Sequence, residues 1–202
     1  GNTKVVYGEQ LSFTTFRSAN LITTAVSSIM GTTAISGGNI SDDGGSPVSA
    51  RGVCWSTSSG PTIDINPKTT DGSGKGSFIS RITGLQPGTK YFVRAYAING
   101  AGPAYGNEVT FTTTRPPVLT TSSVTSITST SAVSGGNITS DGGSPVTARG
   151  VCWSTSTGPT IALTTKTSNG TGPGVFSSNM TGLQPGKTYH VRAYATNAAG
   201  TS

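Results

Sequence analysis

The side chains of this 202-residue chain that can do acid–base, nucleophilic or metal chemistry are two cysteines, one histidine and seven carboxylates. Hydrolysis by a carboxylate pair needs two such groups held close together. Asp42, Asp43, Asp64, Asp71 and Glu108 lie in one stretch, but residues 117–202 hold only Asp141. Asp42-Asp43-Gly44 and Asp71-Gly72-Ser73-Gly74 offer oxygen donors of the kind calcium takes. The later runs Ser140-Asp141-Gly142 and Asn169-Gly170-Thr171-Gly172 carry fewer charges, and Asp beside Gly is first a turn former. There is no Cys-x-x-Cys, and His190 has no acidic or cysteine neighbour in sequence, so no zinc ligand set is present. Cys54 and Cys152 sit in strand-like apolar context and read as small, buried, reduced thiols. No catalytic residue, metal ligand or cofactor is assigned, and the chain is expected not to be an enzyme.

Stacking on sugar rings is the remaining chemistry. In KYFVRAYAIN (90–99), period-2 alternation puts Tyr91, Val93, Ala95 and Ala97 on one face and Phe92, Arg94, Tyr96 and Ile98 on the other. Tyr96 beside Arg94, and Tyr194 beside Arg192 in the matching later run, form the candidate glycan face. Trp55 and Trp153 read as core instead.

The elements that position these residues come in two copies. Cys54 recurs at Cys152 (152 − 54 = 98), and the same offset relates Trp55 to Trp153, Tyr91 to Tyr189 and Arg94 to Arg192. SGGNI, DGGSPV, RGVCWSTS and TGLQPG each occur twice in that register, with no insertion or deletion. A period of this length with strand-like patterning means two copies of one small β domain.

The repeat is out of phase with the chain. YGEQLSFTT (7–15) matches YGNEVTFTT (105–113), so residues 1–16 read as the last strand of a preceding repeat. The expected domains are 19–114, a complete unit, and 117–202, a unit missing its final strand. Two readings stay open: a boundary that cuts a longer tandem array, or an orphan strand of one molecule completing the open unit of the next. In the second reading Tyr7, Leu11 and Phe13 are donor residues, and Tyr189, Val191, Ala193 and Ala195 line the acceptor strand.

Charged residues make up 10% of the chain and hydrophobic residues 32%, which excludes a large core. The net charge of +6 is spread along the chain with no Lys/Arg cluster, so nucleic acid is not an expected partner. No apolar run of membrane-spanning length occurs. Turn signals such as DDGGSP (42–47) and DGSGKG (71–76) punctuate alternating strands every ~8–12 residues, the pattern of a β sandwich. Arg115-Pro116-Pro117 reads as a stiff linker between domains.

Leu85-Gln86-Pro87-Gly88-Thr89-Lys90-Tyr91-Phe92-Val93-Arg94-Ala95-Tyr96-Ala97, with Asn99 and Gly102, resembles the most recognisable stretch of fibronectin type III domains. The copy from Leu183 to Gly200 shifts the threonine by one, as Lys187-Thr188. Taken together, the repeated words resemble fibronectin type III-like repeats of secreted and surface proteins of Bacteroidetes. The resemblance implies an all-β chain of two tandem immunoglobulin-like sandwiches, located outside the cell or on its surface. It implies a structural role in spacing or head-to-tail assembly, with copies of itself or neighbouring repeats as partners. The alternative it implies is a carbohydrate-binding or adhesive module with polysaccharide as partner.

Overall fold

The computed structural model of the protein describes residues 3–202. Those residues are all-β, with no helix and thirteen strands. In the first half they are β1 (Asn20–Ser27), β2 (Ala34–Asp42), β3 (Ala50–Ser56), β4 (Gly76–Ile82), β5 (Lys90–Asn99), β6 (Gly102–Tyr105) and β7 (Val109–Thr112). In the second half they are β8 (Val118–Thr121), β9 (Ser131–Ser140), β10 (Ala148–Ser154), β11 (Gly174–Thr181), β12 (His190–Asn197) and β13 (Gly200–Thr201).

The pairings between these strands are antiparallel. β1-β2-β4 form one sheet; β3 pairs β5, and both β6 and β7 pair the other edge of β5. The second half repeats this as β8-β9-β11 and β10-β12-β13. Alternation decides which side chains are buried. Val53 and Trp55 of β3, Phe78 and Ile82 of β4, and Tyr91, Val93, Ala95 and Ala97 of β5 share one core with Phe111 of β7. Val151, Trp153, Phe176, Met180, Ala193 and Ala195 make the second core. The two tryptophans are core residues, as their strands indicate.

The turns follow the Asp/Gly chemistry. Asp42 Oδ1 accepts from Gly44 N at 2.9 Å and Asp43 Oδ1 from Gly45 N at 3.2 Å. The Gly44 bond is the main cause that holds the Asp42 carboxyl below its ordinary value, with Arg17 and Lys75 nearby adding to it.

Two expectations are corrected. The run 105–113 is not one strand. It breaks at Gly106, where a Cβ would lie 2.7 Å from Thr23 N, so the chain turns against β1 before β7 begins. The joint between halves also lies ahead of the two prolines. Thr114 N donates to Met30 O at 3.3 Å, in the first half, while Arg115 N donates to Gly142 O at 2.9 Å, in the second. Pro117 is fully buried and so belongs to the second half rather than to a linker.

Candidate functional site

The first half shows how residues 105–113 are held. The guanidinium of Arg94 lies over the Tyr105 ring at 4.5 Å, and Ile63 N donates to the Tyr105 hydroxyl at 3.1 Å. Gly106 N donates to Ala95 O at 2.9 Å, and Arg94 Nε donates back to Gly106 O at 3.2 Å. Asn107 Oδ1 accepts from Thr23 N at 3.0 Å. Glu108 caps the 59–60 turn, taking Gly60 N at 2.6 Å and Ser59 Oγ at 3.0 Å. Val109 and Phe111 then enter the core in register with Val93 and Tyr91, and the Phe111 and Tyr91 rings stack at 5.7 Å.

The second half has the same seat without an occupant among the described residues. β13 pairs the end of β12, and Ser202 exchanges both backbone hydrogen bonds with Ala195. Beyond that point the edge of β12 is open. A cavity of about 220 Å³, lined by Cys152, Pro159, Ile161, Arg192 and Tyr194 among others, lies where Tyr105 sits in the first half. A second cavity of about 330 Å³, lined by Val124, Ile127, Met180, Leu183, Tyr189 and Val191 among others, lies where Val109 and Phe111 sit. Tyr189 and Val191 are half-buried, whereas their counterparts Tyr91 and Val93 are buried. Ala193 and Ala195 are buried already, beneath β8 and inside the core. Of the four acceptor residues, then, Tyr189 and Val191 carry the uncovered surface.

The three residues expected as donors are exposed. Residues 3–16 form no strand, and Tyr7, Leu11 and Phe13 are 87%, 88% and 90% exposed. Their counterparts are covered: Tyr105 and Val109 are half-buried and Phe111 is 7% exposed.

The glycan face is corrected. Tyr96 is 2% exposed and Tyr194 8%, because the segment between β3 and β4, and its copy between β10 and β11, folds over the outer face of the sheet. Each ring is pinned there by its hydroxyl, so neither presents a face on which a sugar can stack. Arg94 is committed to Tyr105, while Arg192 is exposed. His190 is exposed as well.

Cys54 and Cys152 are free, buried thiols, as expected from sequence. Burial pushes the Cys54 thiol up to about 11 and the Cys152 thiol up as well, against the opposing charges of Arg94 and Arg192. Among the described residues no group of acidic, His and Cys side chains is placed to hold a metal ion. No helix there is long and apolar enough to cross a membrane.

Sequence reasoning found the open seat but missed that it splits into two cavities around Gly106, and missed Glu108 as a turn cap. The glycine was the available signal for the first; a carboxylate whose turn partner lies forty-nine residues away leaves none.

No known protein family and no curated protein matches the chain. Among solved structures it is similar to the sensor domain of the anti-sigma factor RsgI4 of Pseudobacteroides cellulosolvens, determined in solution. That match has 16% identity and a TM-score of 0.36, over 47% of this chain and 74% of that one.

Proposed function

We propose that the chain is a non-enzymatic structural subunit. It consists of two tandem immunoglobulin-like sandwiches of the fibronectin type III kind, and copies join head to tail by strand donation outside the bacterial cell. Residues 7–15 of one copy seat on β12 of the next. The extracellular setting rests on the family resemblance; the assembly rests on geometry.

One observation carries the reading: the two cavities of the second half coincide with the seats of Tyr105 and of Val109 with Phe111, and an exposed segment of the chain carries the matching side chains. Tyr7 and Phe13 are six residues apart, like Tyr105 and Phe111 (13 − 7 = 111 − 105). Gly8 stands at the position where Gly106 has no room for a Cβ. The register has a natural start. Ser202 already occupies the position on β12 that Val6 would take, so donated pairing begins at Tyr7.

Burying Leu11 and Phe13 contributes roughly 3–6 kcal/mol. Against a domain stability of about 5–15 kcal/mol, that is a large share, and the added strand also covers a sheet edge. A chain cannot complete itself. Arg17 N is bonded to Gly44 O at one end of the first half, and Phe16, one peptide bond away, would have to reach Thr128 at the far end of the second. With strands of about 30 Å in each half, that gap is roughly 60 Å. Donation is therefore between copies, and a heterologous contact of this kind propagates into an open fibre.

The test is sedimentation of the 202-residue chain beside a form lacking residues 1–16. The full chain should polymerise with concentration and the truncated one should not. A full chain that stays monomeric at high micromolar concentration, with its second half well folded, would overturn the reading.

A further inference from the structure

We infer that the joint between copies reproduces the joint inside the chain, so that every successive unit along the fibre is related to the last by one rotation and rise. This rests on the strand-donation reading and adds the geometry of the interface to it.

The internal joint has no free residue. On the upstream side Thr113 N donates to Thr89 O at 3.0 Å, Thr113 Oγ1 donates to Gln86 O at 2.6 Å and Thr114 N donates to Met30 O at 3.3 Å. On the downstream side, starting at the very next residue, Arg115 N donates to Gly142 O at 2.9 Å, and Asn197 Nδ2 donates to Arg115 O at 2.7 Å and to Asp141 O at 2.6 Å. Consecutive residues are thus bonded to different units, and the Arg115 side chain beside Gly88 and Ala199 beside Gly31 pack across the same joint.

The downstream half of the same joint is already built around Arg17. Arg17 N donates to Gly44 O at 3.0 Å, and Asn99 Nδ2 donates to Arg17 O at 2.8 Å and to Asp43 O at 2.6 Å. Each contact is the counterpart, at offset 98, of one around Arg115. The fit is equally close in both places. A Cβ on Gly44 would lie 1.9 Å from Arg17 O, and one on Gly142 would lie 2.0 Å from Arg115 O; both glycines have left-handed φ, +70° and +73°. Arg17 is therefore seated on the first unit as Arg115 is seated on the second.

The upstream half waits at the other end. Thr128 and Gln184 correspond to Met30 and Gln86. When Leu11 and Phe13 seat, Thr15 falls against Gln184 and Phe16 N against Thr128 O, and the chain passes at once into the prebuilt Arg17 clamp. The donated strand thus fixes orientation as well as attachment.

The test is electron cryomicroscopy of fibres grown from the 202-residue chain, processed without imposing a two-unit repeat. A single rise and twist per unit is expected. Two alternating joint geometries would overturn the inference and leave donation standing; absence of fibres would overturn both. Asn99→Ala and Asn197→Ala give an independent readout. Each loosens one class of joint, so each should shorten the persistence length of the fibre by a similar factor. A fibre as stiff with Asn99→Ala as without it would overturn the inference.

Discussion

The hydroxyl of Tyr96 donates to the backbone carbonyl of Thr69 at 2.6 Å, and Tyr194 repeats the bond to Thr167 at 2.6 Å. Each bond ties a segment of little regular structure to the outer face of a sheet. In the first half Tyr96 packs there with Cys54 and Ile63, apart from the main core. Thr69 N meanwhile donates to Val53 O and Asp71 N to Arg51 O, so the segment runs along β3 as an irregular extra edge. Tyr96→Phe keeps the packing and removes the donor from a half-buried carbonyl. It should cost about 1–3 kcal/mol, read as a lower chemical-denaturation midpoint of the first unit. An unchanged midpoint would show that water replaces the hydroxyl without loss.

Alkaline pH should loosen the same region. Burial raises the Cys54 thiol to about 11 from an ordinary value of 9.0, and raises the Tyr96 phenol above 10.0. A group whose folded pKa lies above its unfolded pKa holds its proton better when folded, so stability declines as pH rises from the unfolded value to the folded one. For Cys54 that window runs from about 9 to about 11. Unfolding midpoints measured across it should fall, and Cys54→Ala should flatten the fall. A thiol-reactive probe at pH 8 should label native protein far more slowly than unfolded protein, because the thiolate is both disfavoured and inaccessible. Rapid native labelling would contradict the burial of both thiols.

Asp71 and Asn169 do one job with different charge. Asp71 Oδ2 accepts from Thr69 Oγ1 at 2.6 Å and from Ser80 Oγ at 2.5 Å; Asn169 Oδ1 accepts from Thr167 Oγ1 at 2.7 Å and Ser178 Oγ at 2.5 Å. Ser80 is fully buried, so its hydroxyl needs an acceptor there. Asp71→Asn should therefore be close to neutral, and Asp71→Ala should destabilise the first unit by about 1–3 kcal/mol. Equal thermal shifts for the two substitutions would show that charge, not the acceptor, matters. Counting acidic residues for a metal or catalytic site would give Asp71 weight; its use by two hydroxyls shows a structural one.

The parts of the fold that a period can encode were legible. Alternation in KYFVRAYAIN puts Tyr91, Val93, Ala95 and Ala97 in the core, and the 98-residue offset shows that residues 7–15 repeat the sequence of 105–113. Alternation says which face a side chain takes but not what covers that face. Tyr96 points away from the main core and is still buried; the segment that covers it hydrogen-bonds along β3 as an irregular edge, with Cys54 to Lys68 as an isolated bridge, and has no period to read. Pro116-Pro117 misplaced the joint for a related reason. Proline stiffens a chain wherever it lies, and here it stiffens the first residues of a unit whose boundary is set by the hydrogen bonds of Thr114 and Arg115.

Phe13 and Phe111 separate assembly from folding. Both occupy the same place in the repeat, but Phe111 is 7% exposed and stacked on Tyr91, while Phe13 is 90% exposed. Phe111→Ser removes a core ring and should destabilise the first unit by about 3–5 kcal/mol. Phe13→Ser removes nothing that the single chain uses, so the thermal midpoints of both units at low concentration should not move. Its cost should appear only on assembly. Full burial of a phenylalanine contributes about 1.5–3 kcal/mol and its pairing with Tyr189 about 0.5–1.5 kcal/mol more. At about 1.4 kcal/mol per tenfold, the critical concentration for fibre growth should rise on the order of 10²-fold. Measuring that concentration by light scattering for the two variants and the parent checks the assignment. A Phe13→Ser chain that assembles like the parent would show that residues 7–15 are not the donated strand.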